Sequence, residues 1–309
     1  MKILVTGGCG NMGTHLVNTL AQQGHTVRVI DKNAEGLKQF THQGIQTFAG
    51  DISDKEFIHK TVEGMNAIVH LAWSFSENFL ELLDIDVKAY QYILDAAVEN
   101  KVEHVINATT TVSYGKPQQS PVDETHPHLA WQSRDPSYAL AKLITKEMGK
   151  IYSAQHDIHV NNVMIWYAYS HEIGGRNLRG MVRDAIEKGV ITVPAGCGGS
   201  FLQIDDFISC VMGIIKARPK GELFNIGTFY LTWEELAQLI IPLANPKAKV
   251  NAIPKDEWKG SAFLVDDWNL NIEKAQKMLQ FKTSLTREQG IAYLVEALRD
   301  CVEKVKSSM

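Results

Sequence analysis

Along the first half of the chain, short runs rich in apolar and β-branched residues alternate with longer stretches in which apolar residues recur at helical spacing. The runs Lys2–Thr6, Thr26–Ile30, Gly44–Ala49, Ala67–Leu71, His104–Ala108 and His159–Ile165 predict strands. Between them, Asn11–Gln23, Ala34–His42, Lys55–Glu63, Leu80–Asn100 and Ser137–Gln155 predict helices. Several of the strands are continuous apolar runs, the pattern of a strand covered on both faces. Strands separated by helices predict an α/β fold with a doubly wound, parallel Rossmann-type sheet.

Beyond about residue 166 the texture changes. Gly174-Gly175 and Gly196–Ser200 read as loops, and Pro219, Pro242, Pro246 and Pro254 interrupt the pattern. Helices are expected over Leu178–Lys188, Asp205–Ala217, Thr232–Leu243, Asn271–Leu279 and Arg287–Val305. One more apolar run, Leu223–Ile226, is expected to rejoin the first sheet. The expected organisation is a dinucleotide-binding domain over 1–165, rejoined by about 203–228. A smaller, discontinuous substrate-binding lobe covers 166–202 and 229–309, with the cleft between the two taking the substrate.

Composition narrows the choices. The 309 residues carry 31 basic and 35 acidic side chains, a net charge of −4, so no broad basic field is available for nucleic acid. Four scattered cysteines show neither disulfide nor zinc spacing, and no metal site is expected from the histidine pairs. No apolar run reaches the ~18 residues of a membrane span, and Ile3–Val5 is too short for a signal peptide. A soluble cytoplasmic protein is the expectation.

The segment Thr6-Gly7-Gly8-Cys9-Gly10-Asn11-Met12-Gly13 lies between the first expected strand and helix. Glycines at 7, 10 and 13 permit a tight turn, close approach of a pyrophosphate, and close helix–strand packing. The N–H groups opening the helix, at Asn11, Met12 and Gly13, would face the phosphates. Asp31 ends the next strand, 18 positions after Gly13, near the spacing of a carboxylate that holds ribose hydroxyls. Its charge favours NAD, although Lys32 beside it leaves NADP open. Asp51-Ile52, at the end of the third strand, is placed to touch an adenine.

Tyr138 and Lys142 are four residues apart on an expected helix, hence on one face. A tyrosine that works as an acid–base near neutral pH needs its phenolate stabilised by about 4 kcal/mol. A neighbouring ammonium and a positively polarised nicotinamide can supply that. Just after the fifth strand, Thr109-Thr110-Thr111 would set hydroxyls at the carboxyl edge of the sheet, able to hold a substrate oxygen against Tyr138.

Together with His70-Leu71-Ala72, Tyr114-Gly115, Gln203–Asp206 and Phe224–Gly227, these motifs resemble the extended short-chain dehydrogenase/reductase superfamily, the NAD-dependent epimerase/dehydratase family. The resemblance covers nearly the whole chain. It implies a catalytic set of Thr110, Tyr138 and Lys142, with Lys142 also on the nicotinamide ribose, and Leu71 and Ala72 beside the cofactor. It implies a homodimer formed through the Leu80–Asn100 and Ser137–Gln155 segments. Dehydratases of this family carry Asp-Glu directly after the catalytic threonine; Thr111-Val112 stand there, which disfavours elimination of water. The arginines that clamp a nucleotide-sugar diphosphate are replaced by Gly199–Leu202 and Phe263–Asp267. Trp73, Trp131, Trp166, Tyr167 and Tyr169 are candidates for an aromatic substrate pocket, joined by Thr111 and by Arg176 as a substitute cation. The expected activity is NAD-dependent oxidation or reduction of a secondary alcohol, ketone or sugar. The alternatives are a nucleotide-sugar epimerase that retains NAD and a non-catalytic NAD sensor.

Overall fold

A computed structural model describes residues 1–309. Twelve strands occur in chain order: β1 (Lys2–Thr6), β2 (Thr26–Asp31), β3 (Ile45–Ala49), β4 (Ala67–His70), β5 (His104–Thr110), β6 (His159–Ile165), β7 (Tyr167–Tyr169), β8 (Val190–Pro194), β9 (Gly198–Gln203), β10 (Leu223–Asn225), β11 (Phe229–Thr232) and β12 (Lys249–Ile253). Seven form one sheet in the order β10-β6-β5-β4-β1-β2-β3, every pair parallel. This is the doubly wound Rossmann arrangement, and its order reverses between β1 and β4.

Alternation along each strand builds two cores. Ile3, Val5, Val27, Val29, Ala67 and Val69 point to one face, where Leu16, Val17 and Leu20 of helix Asn11–Gln22 meet Phe207 and Val211 of helix Ile204–Ala217. Leu4, Ile30, Ile68, Val105 and Val160 point to the other, under helices Lys55–Val62 and Lys88–Glu99. A third core gathers Trp166, Phe201, Trp233 and Trp268 with helices Arg176–Glu187, Trp233–Ala244 and Arg287–Ser307. Around it lie two small sheets, β11-β9-β7 and β12-β8.

Several elements differ from expectation. Gly196–Ser200, read as a loop, contributes to β9. A Cβ at Gly198 would meet the Leu231 carbonyl oxygen at 2.1 Å, and one at Gly199 would meet the Trp166 ring at 2.5 Å. The glycines there permit close approach rather than a turn. The short strands β7, β8, β11 and β12 were not anticipated either. The helix expected over Ala34–His42 stops at Leu37, since Gly36 weakens so short a helix. The long helix expected from Leu80 is interrupted by a π-helical stretch at Leu82–Val87, which turns Asp86 inward.

Because Phe207 is fully buried between the helix layer and the sheet, Phe207→Ala is expected to cost about 3–5 kcal/mol. Urea unfolding should show a lower midpoint with little change in slope.

Candidate active site

The reversal between β1 and β4 opens a cleft at the carboxyl ends of the strands. Its floor is backbone lying on backbone. At Gly7 φ is +70°, and a Cβ would stand 2.7 Å from both N and Cα of Ala72. A Cβ at Gly13 would meet the Gly7 carbonyl oxygen at 2.4 Å. Gly10 is less crowded: a Cβ there would meet only the Gly7 carbonyl oxygen, at 3.3 Å, beside the helix that starts at Asn11. The first backbone bond of that helix runs from Thr14 N–H to Gly10 O (2.9 Å), so the N–H groups of Asn11, Met12 and Gly13 remain free, a ready anion cradle.

Thr6 secures the second crossing. Its Oγ1 accepts from the N–H groups of Leu71 and Ala72 (3.2 Å each) and gives its own proton to His70 Nδ1 (2.8 Å). With Nδ1 accepting, His70 is neutral, and burial pushes its pKa down to about 3.

Two pockets share this cleft. The first, about 500 Å³, includes Asp31, Lys32, Gly50, Asp51, Ile52 and Ala72 in its wall. Asp31 is held by backbone: Cys9 N–H donates to Oδ2 and Asn33 N–H to Oδ1, each at 2.9 Å. Each oxygen keeps a lone pair for another donor. The second pocket, about 910 Å³, runs past Gly10, Asn11, Met12, Gly13 and Leu71 to Thr110, Tyr138, Lys142 and Trp166. Trp73 walls both.

Tyr138 and Lys142 sit in the first two turns of helix Pro136–Gln155, which Asp135 caps by accepting from Tyr138 N–H (3.1 Å) and Pro136 opens with its fixed φ. The Lys142 ammonium donates to the Ala108 carbonyl (3.1 Å) and lies 3.6 Å from the centroid of the Trp73 ring, a cation–π contact. Burial lowers its pKa to about 7, against which the carboxylate of Asp86 favours the charged form. Asp86 itself is fully buried and accepts from Ser74 N–H (2.7 Å) and Ser74 Oγ–H (2.5 Å). Burial raises its pKa, and these bonds, with the Lys142 and Lys32 charges, offset that rise in part. A carboxylate at this position thus anchors the loop after β4 and balances the buried ammonium.

Tyr138 departs from the sequence expectation. Burial raises its pKa, and the cation that most opposes the rise is Arg134. The ring packs against Trp73 and Phe75, centroids at 5.6 and 6.1 Å.

Of the residues assigned to substrate from sequence, Trp73 and Trp166 line the cleft and the others do not. Thr111 is buried in the 3₁₀ turn after β5. The Tyr167 hydroxyl donates to the Gly174 carbonyl inside the third core. The Tyr169 hydroxyl donates to Gly290 O (3.1 Å). Trp131 is 75% exposed, away from the cleft, and Arg176 is exposed at the start of its own helix. Sequence reasoning missed Phe75, Ile165 and Ala168, which share the second pocket, and Arg134. Phe75 gave one signal, an aromatic set between two serines in the loop after β4.

The lowered pKa of Lys142 has a pH signature. Between about 7 and the ordinary 10.5, the unfolded chain holds a proton that the folded chain lacks, so this group adds stability as pH rises. The stability of the native chain relative to Lys142→Met should therefore grow across that window in denaturant titrations. A difference that stays flat contradicts the assignment.

The model of the NAD dependent epimerase/dehydratase family matches residues 3–227. The chain is 25% identical over 318 residues to the UDP-N-acetyl-alpha-D-glucosaminuronate decarboxylase of Bacillus cytotoxicus, covering 97% of this chain and 98% of that one. It is 27% identical to the uronate dehydrogenase of Pseudomonas syringae, over 53% of this chain and 58% of the relative. Among solved structures, a dTDP-glucose 4,6-dehydratase of Streptomyces venezuelae with NAD and TYD bound superposes with TM-score 0.78 at 21% identity over 97% of each chain. The UDP-Glc/GlcNAc 4-epimerase of Campylobacter jejuni gives 0.79 at 18% identity over 98% of this chain and 99% of that one. At that identity the two structures speak for the fold, and the match over residues 3–227 speaks for the lineage: the chain belongs to the NAD-dependent epimerase/dehydratase family.

Proposed function

We propose that the protein is an NAD-dependent oxidoreductase acting on a secondary alcohol or its ketone. The observation that carries this reading is the single cleft shared by the glycine loop, Thr110, Tyr138 and Lys142. The residues fit the cofactor. Gly7, Gly10, Asn11, Met12 and Gly13 would take the pyrophosphate, Asp31 and Lys32 the adenosine ribose, Asp51 and Ile52 the adenine, and Leu71 and Ala72 the edge facing β4. When bound, NAD supplies the carbon that accepts or returns a hydride.

The protein's own groups manage the proton and the oxygen. Tyr138 exchanges the hydroxyl proton, and Thr110 orients the substrate oxygen from the end of β5. Lys142 would hold the nicotinamide ribose. With a pKa near 7 its charge is conditional, and Asp86 helps to keep it. The raised pKa of Tyr138 means that phenolate character depends on cations brought close during turnover. Neither Thr111 nor Val112, both buried after β5, offers a carboxylate for elimination. Exposed Leu140 and Ile151 on helix Pro136–Gln155 support a homodimer through that face.

A nucleotide-sugar epimerase is the second reading, favoured by relatives such as the UDP-glucose 4-epimerase of Streptococcus mutans, 26% identical over 49% of this chain. Absorbance at 340 nm separates the two, since a dehydrogenase accumulates free NADH and an epimerase returns its hydride within one turnover. Tyr138→Phe is expected to bind NAD normally and to lose turnover by ~10²-fold or more; near-native rates would refute the acid–base role. Asp31→Ala should erode the preference for NAD over NADP, measured as the ratio of dissociation constants by fluorescence titration. A native chain that already prefers NADP would refute the role of Asp31.

A further inference from the structure

Tyr138 shares the second pocket with an aromatic side chain that belongs to a larger stack. Trp166 lines the cleft beside it. Phe263 stacks on Trp166, ring centroids 5.7 Å apart and planes 8° from parallel. The Arg134 guanidinium lies over the Phe263 ring, 4.6 Å from its centroid. An arginine laid flat on an aromatic ring keeps its N–H edge free for planar, two-pronged recognition. Here the edge is free: Arg134 makes no hydrogen bond or ion pair within the chain, and only longer-range attraction from Asp266, Tyr138 and Asp135 supports its charge. The Trp166 Nε1–H is also buried without a partner.

Three cations act on one buried carboxylate beside this stack. Lys116, Lys255 and Arg134 converge on the carboxyl of Asp266, which is 5% exposed and makes no hydrogen bond. None of the three cations forms an ion pair elsewhere in the chain. Two further carboxylates flank the group: Asp135 accepts from Tyr138 N–H, and Asp267 accepts from Tyr230 and Ser120. The Arg134 guanidinium, held against the Phe263 ring, therefore lies within the electrostatic reach of Tyr138 with its N–H groups unengaged.

We propose that Arg134, carried on the Phe263–Trp166 stack, is the specificity residue of this cleft and binds an oxyanion substituent of the substrate, either a carboxylate or a phosphoryl group. Such a contact fixes the orientation of the reacting carbon with respect to Tyr138, because Arg134 immediately precedes the residue that caps the helix bearing that tyrosine. A bound oxyanion also gives the guanidinium the hydrogen-bonded partner that it lacks within the chain and leaves the substrate's apolar edge against Trp166. The proposal rests on the oxidoreductase reading and names the substrate class for it.

The test uses the full-length protein saturated with NADH. Three probes are titrated by calorimetry: D-glucuronate, whose only anionic group is a carboxylate; uridine 5′-diphosphate, whose only anionic groups are phosphoryl; and D-galactose, which is neutral. The expected result is that at least one anion binds ~10-fold or more tightly than galactose, with an affinity that falls as salt is raised. The preferred anion identifies the group. Arg134→Gln should abolish the preference while NADH binding, the control for folding, stays at the native value; Arg134→Lys should restore part of it. An anion preference that survives Arg134→Gln, or no preference in the native chain, overturns the proposal while leaving the oxidoreductase reading intact. Failure of the native chain to bind NADH overturns that reading and this proposal with it.

Discussion

Lys142 is an ammonium with almost no water around it. A carbonyl from β5, the face of Trp73 and the field of Asp86 stand in for hydration. Each of those groups is placed by a separate piece of chain. Ala108 is in β5, Trp73 follows β4, and Asp86 is turned inward by the π-helical stretch. Burying a charge is costly unless it is compensated, so the three pieces are coupled. A shift in the loop after β4 would uncover the ammonium, and loss of the inward turn would remove its counter-charge. The arrangement of Trp73, Ser74 and Tyr138 around the cleft follows from this one requirement.

Trp73 joins the two halves of the site. On one side it walls the pocket of Asp31, Asp51 and Ile52; on the other it meets Tyr138 edge-on. The cradle beneath is set by another constraint, the lack of side chains where Gly7 crosses Ala72 and where Gly13 passes Gly7. One end of the cleft is therefore shaped by backbone contact and the other by a buried charge, and a single indole is common to both.

Much of this was legible in the residues. Central strands of the large sheet such as β1 and β4 are continuous apolar runs because both faces are covered, and the strand ends were readable to within a residue or two. The glycine motif announces itself by position between a strand and a helix. What could not be read was anything decided by distant packing. The glycines of β9 look like loop residues until Leu231 and Trp166 are seen against them. The inward turn of Asp86 depends on a π stretch that helical periodicity conceals. Tyr138 and Lys142 share a helix face as their spacing requires, yet the cation that most affects the phenol is Arg134, whose ring partner Phe263 lies far along the chain.

Trp166 belongs to the third core, while the tyrosine it accompanies belongs to the helix layer over the large sheet. The indole can recede because Gly199 behind it presents bare backbone, with the ring occupying the volume that a methyl group would claim. The depth of the chamber in front of Tyr138 is thus governed from the rear. An alanine in that strand would drive the indole forward and narrow the space for a ligand without altering any group that touches one, so the chamber's capacity can change during divergence while its chemistry stays the same.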